Sequence, residues 1–152
     1  MIKQKSVGVI IYRKQSRNIK YLLLLHQSGI YWKHPSGQVK SKKEDEMTTA
    51  LRELEEETGL TKNDINFISD FKEEVNYDFN VEIKNKRKQK INKISIFYLA
   101  QSKTDKIKIS DEHLDWGWFD YETALKRAFF PRQQDLLKKA NQFILKKEDI
   151  LL

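Results

Sequence analysis

The chain has 152 residues, with 29 lysines and arginines against 22 acids and a formal net charge of +7. Its 39% apolar and 11% aromatic content suits one globular domain over residues 1–152, with enough chain for a real core. No apolar run approaches the ~18 residues of a membrane span, and the lack of cysteine excludes a disulfide framework and a thiolate metal site. The basic excess favours polyanionic partners without choosing between nucleotides and nucleic acid; the bland reading is lysine-rich solvated surface. The opening MIKQKSVGVIIY lacks the layout of a signal peptide, so a cytoplasmic protein is expected.

Residues 5–12 (KSVGVIIY) are β-branched and apolar and read as a buried strand. Asn18 to Lys20 read as a turn, and Tyr21 to His26 (YLLLLH) as a second strand whose unbroken apolar run implies burial on both faces. A loop with Pro35 and Gly37 then leads to a helix. Met47, Ala50, Leu51 and Leu54 form its apolar stripe, and Gly59 is placed to end it in the left-handed conformation. Residues 67–79 contain a long strand. Residues 82–92 (EIKNKRKQKIN) read as a strongly basic connection, residues 93–101 as a strand, 106–109 as a short strand and 116–119 as the last one. Residues 121–128 and 132–147 read as helices parted by Pro131, the second with a stripe of Leu136, Leu137, Ala140, Phe143 and Ile144. The mixture implies an α/β fold.

The most informative stretch is Arg52-Glu53-Leu54-Glu55-Glu56-Glu57-Thr58-Gly59-Leu60. Glu53, Glu56 and Glu57 stand at i, i+3 and i+4 on one helix face, away from the centre of the stripe. Like charges at that spacing destabilise an isolated helix by roughly 0.2–0.5 kcal/mol per pair. Two readings follow. One is a solvated acidic face. The other is a site for a hard divalent cation, since Mg2+ takes carboxylate oxygens together with substrate phosphates.

From Glu44 to Leu60 the chain resembles the signature of the Nudix hydrolases, G-x5-E-x7-R-E-U-x-E-E-x-G-U with U apolar. It departs at the glycine. The pattern puts glycine at 38, where this chain has Gln38, and Gly37 stands one place early, as if one residue were inserted around Lys40 to Lys43. Within the family the chain is most similar to the asymmetric diadenosine tetraphosphate hydrolases. The similarity runs through Gly29-Ile30 with Trp32, Pro35-x-Gly37-x-Val39, Ala50-Leu51-Arg52-Glu53 and Phe71-Lys72-x-Glu74-x-Asn76-Tyr77. It continues through Glu112-His113 with Trp118, Ala124-x3-Ala128-x-Phe130 and Gln142-Phe143. Pro-Lys-Gly of those enzymes is Pro35-Ser36-Gly37 here, without the lysine, and the basic segment is longer.

The resemblance implies the Nudix fold, a mixed β-sheet sandwiched between α-helices, and an Mg2+-dependent pyrophosphohydrolase, with Mn2+ as a substitute. Glu53, Glu56 and Glu57 would hold metal, and Glu53 would act as general base or position the attacking water. Arg52 would orient a carboxylate such as Glu44, which would support the loop and the helix start. A backbone carbonyl near Ser36 or Gly37 would complete a metal shell, and Glu112 is either a distal ligand or a plain surface glutamate. Tyr77 and Phe130 match positions that sandwich an adenine, and either could instead be core. His34 and His113 are phosphate contacts or structural histidines, and Trp32, Trp116 and Trp118 read as packing. Residues 84–90 either hold a polyphosphate or an RNA 5′ end, or form a hairpin tip kept soluble by charge.

The expected reaction is the cleavage of diadenosine tetraphosphate to ATP and AMP by a monomer. The alternatives are the same chemistry on dihydroneopterin triphosphate, a nucleoside triphosphate or 5′-triphosphate RNA, and a catalytically silent nucleotide- or RNA-binding module.

Overall fold

Two apolar runs near the N-terminus build the middle of the sheet. The computed structural model describes residues 1–151, with side chains described to Glu148. Strand β1 covers Ile2–Gln15 and β2 covers Asn18–His26, and both are buried through their centres. The two short strands β3 (Trp32–Lys33) and β4 (Ser36–Gln38) precede helix α1 (Glu46–Thr58). Strands β5 (Ile65–Ile83), β6 (Arg87–Ser102) and β7 (His113–Asp120) follow, and then helices α2 (Tyr121–Arg127) and α3 (Pro131–Leu151).

The sheet runs in the order β3-β2-β1-β6-β5, with β4 pairing β1 and β7 pairing β2. It is mixed: β1 and β6 are parallel from Ile2↔Ile91 to Tyr12↔Gln101, and the other pairings are antiparallel. Alternate residues of β1 and β2 point to opposite faces, and each face carries a core. Ile10, Tyr21 and Leu23 join Leu136, Leu137 and Ala140 of α3 on one face. Val9, Leu22 and Leu24 join Ala50 and Leu54 of α1 on the other. The sheet is thus sandwiched between helices, which is why YLLLL reads as continuously apolar. No described helix is long and apolar enough to cross a membrane.

The loop expected around Pro35 and Gly37 instead holds the short strands β3 and β4, which pair with β2 and β1, and three further expectations change. Asn18 to Lys20 are not a turn; the turn is Ser16–Arg17, with Ser16 at φ 57°, and Asn18 pairs with Gln15 at the start of β2. Residues 106–109 form no strand. Their alternating isoleucines, Ile107 and Ile109, pack on the α1 side, while Lys108 N–H donates to Thr58 O at the end of α1 (2.9 Å). That alternation is packing on a helix end rather than sheet pairing. Residues 82–92 are not a connection but the two arms of a hairpin, paired up to Ile83↔Arg87 around a single 3-10 turn at Lys84–Lys86. Strand β5 is correspondingly longer than expected, with a register shift between Phe67 and Lys72 where Asp70 takes φ 70°.

Candidate active site

Both ends of α1 are capped by side-chain or backbone hydrogen bonds. Asp45 is the N-cap, its carboxylate accepting from Thr48 N–H at 2.7 Å. Gly59 sits at φ 76° and its N–H donates to Glu55 O at 2.9 Å. The residue just before the cap, Glu44, folds back onto the helix. It accepts from Thr49 Oγ1 at 2.6 Å, and Arg52 donates to it through Nε (2.9 Å) and Nη2 (2.7 Å). Arg52 Nη2 also reaches Gln38 O (3.1 Å), and Nη1 reaches Glu53 Oε1 (2.7 Å). Arg52 therefore ties the loop, the helix start and one acid of the site together. Between Gly37 and the helix the chain turns at Ser41–Glu44, where Glu44 N–H donates to Ser41 O (3.1 Å). Gly37 keeps its pairing with Val7 and lies so close to Glu53 that a Cβ there would overlap the Glu53 carboxyl group.

The three glutamates do not share one environment. Glu57 is buried, Glu53 is mostly covered, and Glu56 is half exposed, its Oε2 3.5 Å from Arg52 Nη1. Glu57 is enclosed between Ser36 of β4 and His113 of β7, whose Nε2 lies 3.7 Å from Glu57 Oε2, beyond hydrogen-bond reach. Neither His113 nitrogen nor Glu57 Oε2 has a protein partner among the described residues. Burial, first of all, pushes the Glu57 carboxyl up to about 8. Glu53 and Glu112 push the same way, against Lys33 and the Ser36 N–H. Burial, with Lys33 and His26 adding, lowers the His113 imidazole to about 4. Glu53, Glu56, Glu57 and Glu112 line one open cleft of about 730 Å3 with Lys33, Lys40 and His113.

A second hollow of about 600 Å3 adjoins it, and Lys33 and Ser36 line both. Tyr77 and Phe130 face this half, together with Tyr31, Lys93 and Arg132. Tyr77 and Lys93 are direct cross-strand partners, which aims both side chains at the same place. The Arg132 guanidinium lies 3.9 Å from the Tyr77 ring centroid and 5.5 Å from that of Phe130. Lys33, Lys93 and Arg132 were not signalled by spacing; only the strand register and the start of α3 bring them to the cleft.

His34 lies elsewhere. Its ring is fully buried, edge-on to Phe97 at 6.3 Å, and lines neither hollow; burial lowers it to about 4. A phosphate contact by His34 is therefore corrected to an interior position, because its strand neighbour Lys33 takes the cleft-facing side. The tryptophans also stay out of both hollows. Trp32 packs edge-on to Phe119 (5.3 Å), and the Trp118 indole N–H donates to Asp105 O (3.0 Å).

The family model described as the NUDIX domain matches residues 2–140. The chain belongs to the Nudix hydrolase family. Among its relatives, the asymmetrical bis(5'-nucleosyl)-tetraphosphatase of Caenorhabditis elegans is 32% identical over 141 residues, covering 92% of this chain and 96% of the relative. The enzyme of the same name from Mus musculus is 32% identical over 149 residues, covering 92% and 95%. A crystal structure of a binary complex of the C. elegans Ap4A hydrolase superposes with a TM-score of 0.79 at 32% identity, over 94% of this chain and 98% of that one. The E. coli dihydroneopterin triphosphate pyrophosphohydrolase shares the fold, with a TM-score of 0.68 at 16% identity, over 91% and 97%. As a Nudix hydrolase the chain acts on pyrophosphate bonds, and the Nudix family generally uses a divalent metal.

The acidic half of the Nudix cleft has the chemistry for such a cation. Its donors are hard carboxylate oxygens, and Glu57 Oε2 is a buried acceptor with no protein partner among the described residues. Among the described residues no three acidic or histidine side chains already converge on one point. Glu53 is drawn to Arg52 and Glu56 towards solvent.

Proposed function

We propose that this chain is an Mg2+-dependent Nudix pyrophosphohydrolase that cuts diadenosine tetraphosphate asymmetrically, to ATP and AMP. One observation carries the reading: a carboxylate-lined half-cleft and an aromatic, cationic half-cleft meet at shared walls. The tetraphosphatase relatives, matched over 92% of the chain, support the same substrate.

In this reading Glu53, Glu56, Glu57 and Glu112 hold the metal, and Mn2+ substitutes for Mg2+. The bound cation supplies charge neutralisation on the phosphate oxygens. Water attacks one phosphorus and the bond to the bridging oxygen breaks, so one nucleotide leaves with that oxygen. Glu53 takes the proton of the attacking water or fixes its position. Arg52 holds the Glu53 carboxylate, and Glu44 holds Arg52. Gly37 leaves room for Glu53, and its strand lines the same cleft through Ser36, Gly37 and Gln38. Tyr77 and Phe130 stack an adenine, worth about 1–3 kcal/mol for a base on an aromatic face. The enzyme works as one cytoplasmic domain and a monomer. An RNA 5′ end is the second reading, favoured by one observation: the strands bearing Tyr77 and Lys93 run on into the basic hairpin tip.

The test is turnover with Mg2+ on diadenosine tetraphosphate, dihydroneopterin triphosphate, ATP and 5′-triphosphate RNA, with products resolved by chromatography. ATP plus AMP at the highest kcat/KM, lost in Glu53→Gln and Glu57→Gln, is the expected result. Preference for another substrate would keep the Nudix chemistry and discard the dinucleotide.

A further inference from the structure

The two halves of the cleft differ in charge. The aromatic half is lined by Lys33, Lys93 and Arg132 and by no acid, whereas the metal half carries the four glutamates. A polyphosphate whose base lies in one half and whose reacting phosphorus lies in the other must cross between them. Among the described residues only two line both halves, Lys33 and Ser36, and only Lys33 brings charge.

The position of Lys33 is well determined. It lies on β3, where it pairs with Leu24 of the buried strand β2, and the next residue, His34, is locked inside, with its N–H donating to Gln133 Oε1 of α3 (3.1 Å). The Lys33 side chain is half-buried. Among the described residues it takes no part in the ion pairs of the site: Arg52 serves Glu44, Glu53 and Glu56, and His113 Nε2 faces Glu57 at 3.7 Å. Lys33 still acts on Glu57 as the strongest opposing charge, secondary to burial. A lysine lining two hollows and paired with no carboxylate among the described residues is a standing donor for an incoming anion.

We propose that Lys33 is the phosphate-binding residue at the junction, contacting the phosphates that link the reacting phosphorus to the stacked nucleoside. The inference rests on the nucleoside polyphosphate reading above and adds a specificity residue to it. A substrate with no phosphate at the junction gains nothing from Lys33. Removing its charge therefore weakens binding rather than the chemical step.

The experiment compares wild type with Lys33→Met, Lys33→Arg and the double variant Lys33→Met/Ser36→Lys on diadenosine tetraphosphate. Lys33→Met is expected to raise KM about 10- to 100-fold, the scale of a lost charged hydrogen bond, with kcat within about 3-fold. Lys33→Arg should recover part of the loss, and so should Ser36→Lys, because residue 36 lines the same two walls. Mn2+ affinity without nucleotide, read by electron paramagnetic resonance, should be unchanged or tighter in Lys33→Met. A KM within 3-fold of wild type, a loss confined to kcat, or weakened Mn2+ binding in Lys33→Met overturns the assignment. If the wild-type chain does not turn over the dinucleotide, the proposed substrate falls by itself. Lys33 is then judged by calorimetry of ATP binding, where Lys33→Met should weaken Kd at least about tenfold and an unchanged Kd overturns it.

Discussion

Arg52 holds Glu44 in a two-pronged grip, Nε to Oε2 at 2.9 Å and Nη2 to Oε1 at 2.7 Å, eight residues apart in sequence. The hydrogen bonds from Arg52, then that from Thr49, hold the Glu44 carboxyl down at about 2. The third nitrogen, Nη1, reaches Glu53. Lysine cannot reproduce this fork, because an ammonium is a single point donor. Arg52→Lys should therefore keep the fold yet lower kcat/KM by about 10- to 100-fold, equivalent to about 1.4–2.8 kcal/mol. Glu44→Gln should do the same more mildly. Steady-state kinetics beside thermal unfolding checks both, and an unchanged kcat/KM in Arg52→Lys would remove Arg52 from the positioning role.

Glu57 gives a pH dependence of definite sign. Its carboxyl titrates at about 8 in the fold against an ordinary value of 4.5, so the native state holds the proton more tightly than the unfolded chain does. Stability is therefore complete below the ordinary value and falls as pH rises towards 8. With divalent metal chelated, stability between pH 6.5 and 8 should drop by on the order of 1 kcal/mol per pH unit. Glu57→Gln should flatten that slope and raise Tm at pH 8. Adding Mg2+ should restore the wild-type protein. A flat profile in chelator would contradict the buried, unpartnered carboxylate.

The parts of this site that could be read in the sequence are those set by local periodicity. The stripe Ala50–Leu54, the acids at 53, 56 and 57 and the stop at Gly59 all lie within one helix, where spacing alone decides the face. The two-faced burial of YLLLL was legible for the same reason. Lys33, Lys93 and Arg132 were not, because their approach depends on strands and a helix far apart in sequence. The depth of Glu57 was hidden too: spacing gives its face, but the β7 residue His113 that covers it arrives 56 residues later. The alternation at 106–109 misled because a segment packed on a helix end has the same pattern as a strand.

His34 and His113 act oppositely to Glu57. Both are buried and neutral, lowered to about 4 chiefly by burial, while the unfolded chain takes up protons near 6.5. The stability they contribute is present above pH 6.5 and is lost as pH falls towards 4. Glu57 partly cancels this above 4.5, so the Glu57→Gln background is the clean one. There, His34→Leu should reduce the fall of Tm between pH 6.5 and 4.5, and His113→Leu should reduce it further. Equal slopes in all variants would mean that neither imidazole stays neutral in the fold.

Tyr77 and Phe130 are both only partly buried, and the Arg132 guanidinium stacks against both rings. A base entering this half must share the aromatic faces with that cation. Tyr77→Ala and Phe130→Ala should each raise KM by about 5- to 100-fold, matching the ~1–3 kcal/mol of a base stack, with kcat little changed. Arg132→Ala separates competition from assistance. A lower KM means the guanidinium occupies the base's place, and a higher KM means it binds the polyphosphate. Unchanged KM in both aromatic variants would place the base elsewhere.

Gly37 tests how close the loop must approach the acids. A Cβ at this position would overlap the Glu53 carboxyl carbon and both its oxygens, and the strand pairing with Val7 leaves β4 no room to retreat. The side chain that yields is Glu53, which among the described residues is tethered only by Arg52 Nη1. Gly37→Ala should therefore leave the fold cooperative, with Tm lowered by only a few degrees, while kcat falls by at least about 100-fold because a displacement near 1 Å at a reacting group costs on that order. Activity near that of wild type would show that Glu53 works from a position other than the one it holds against Gly37.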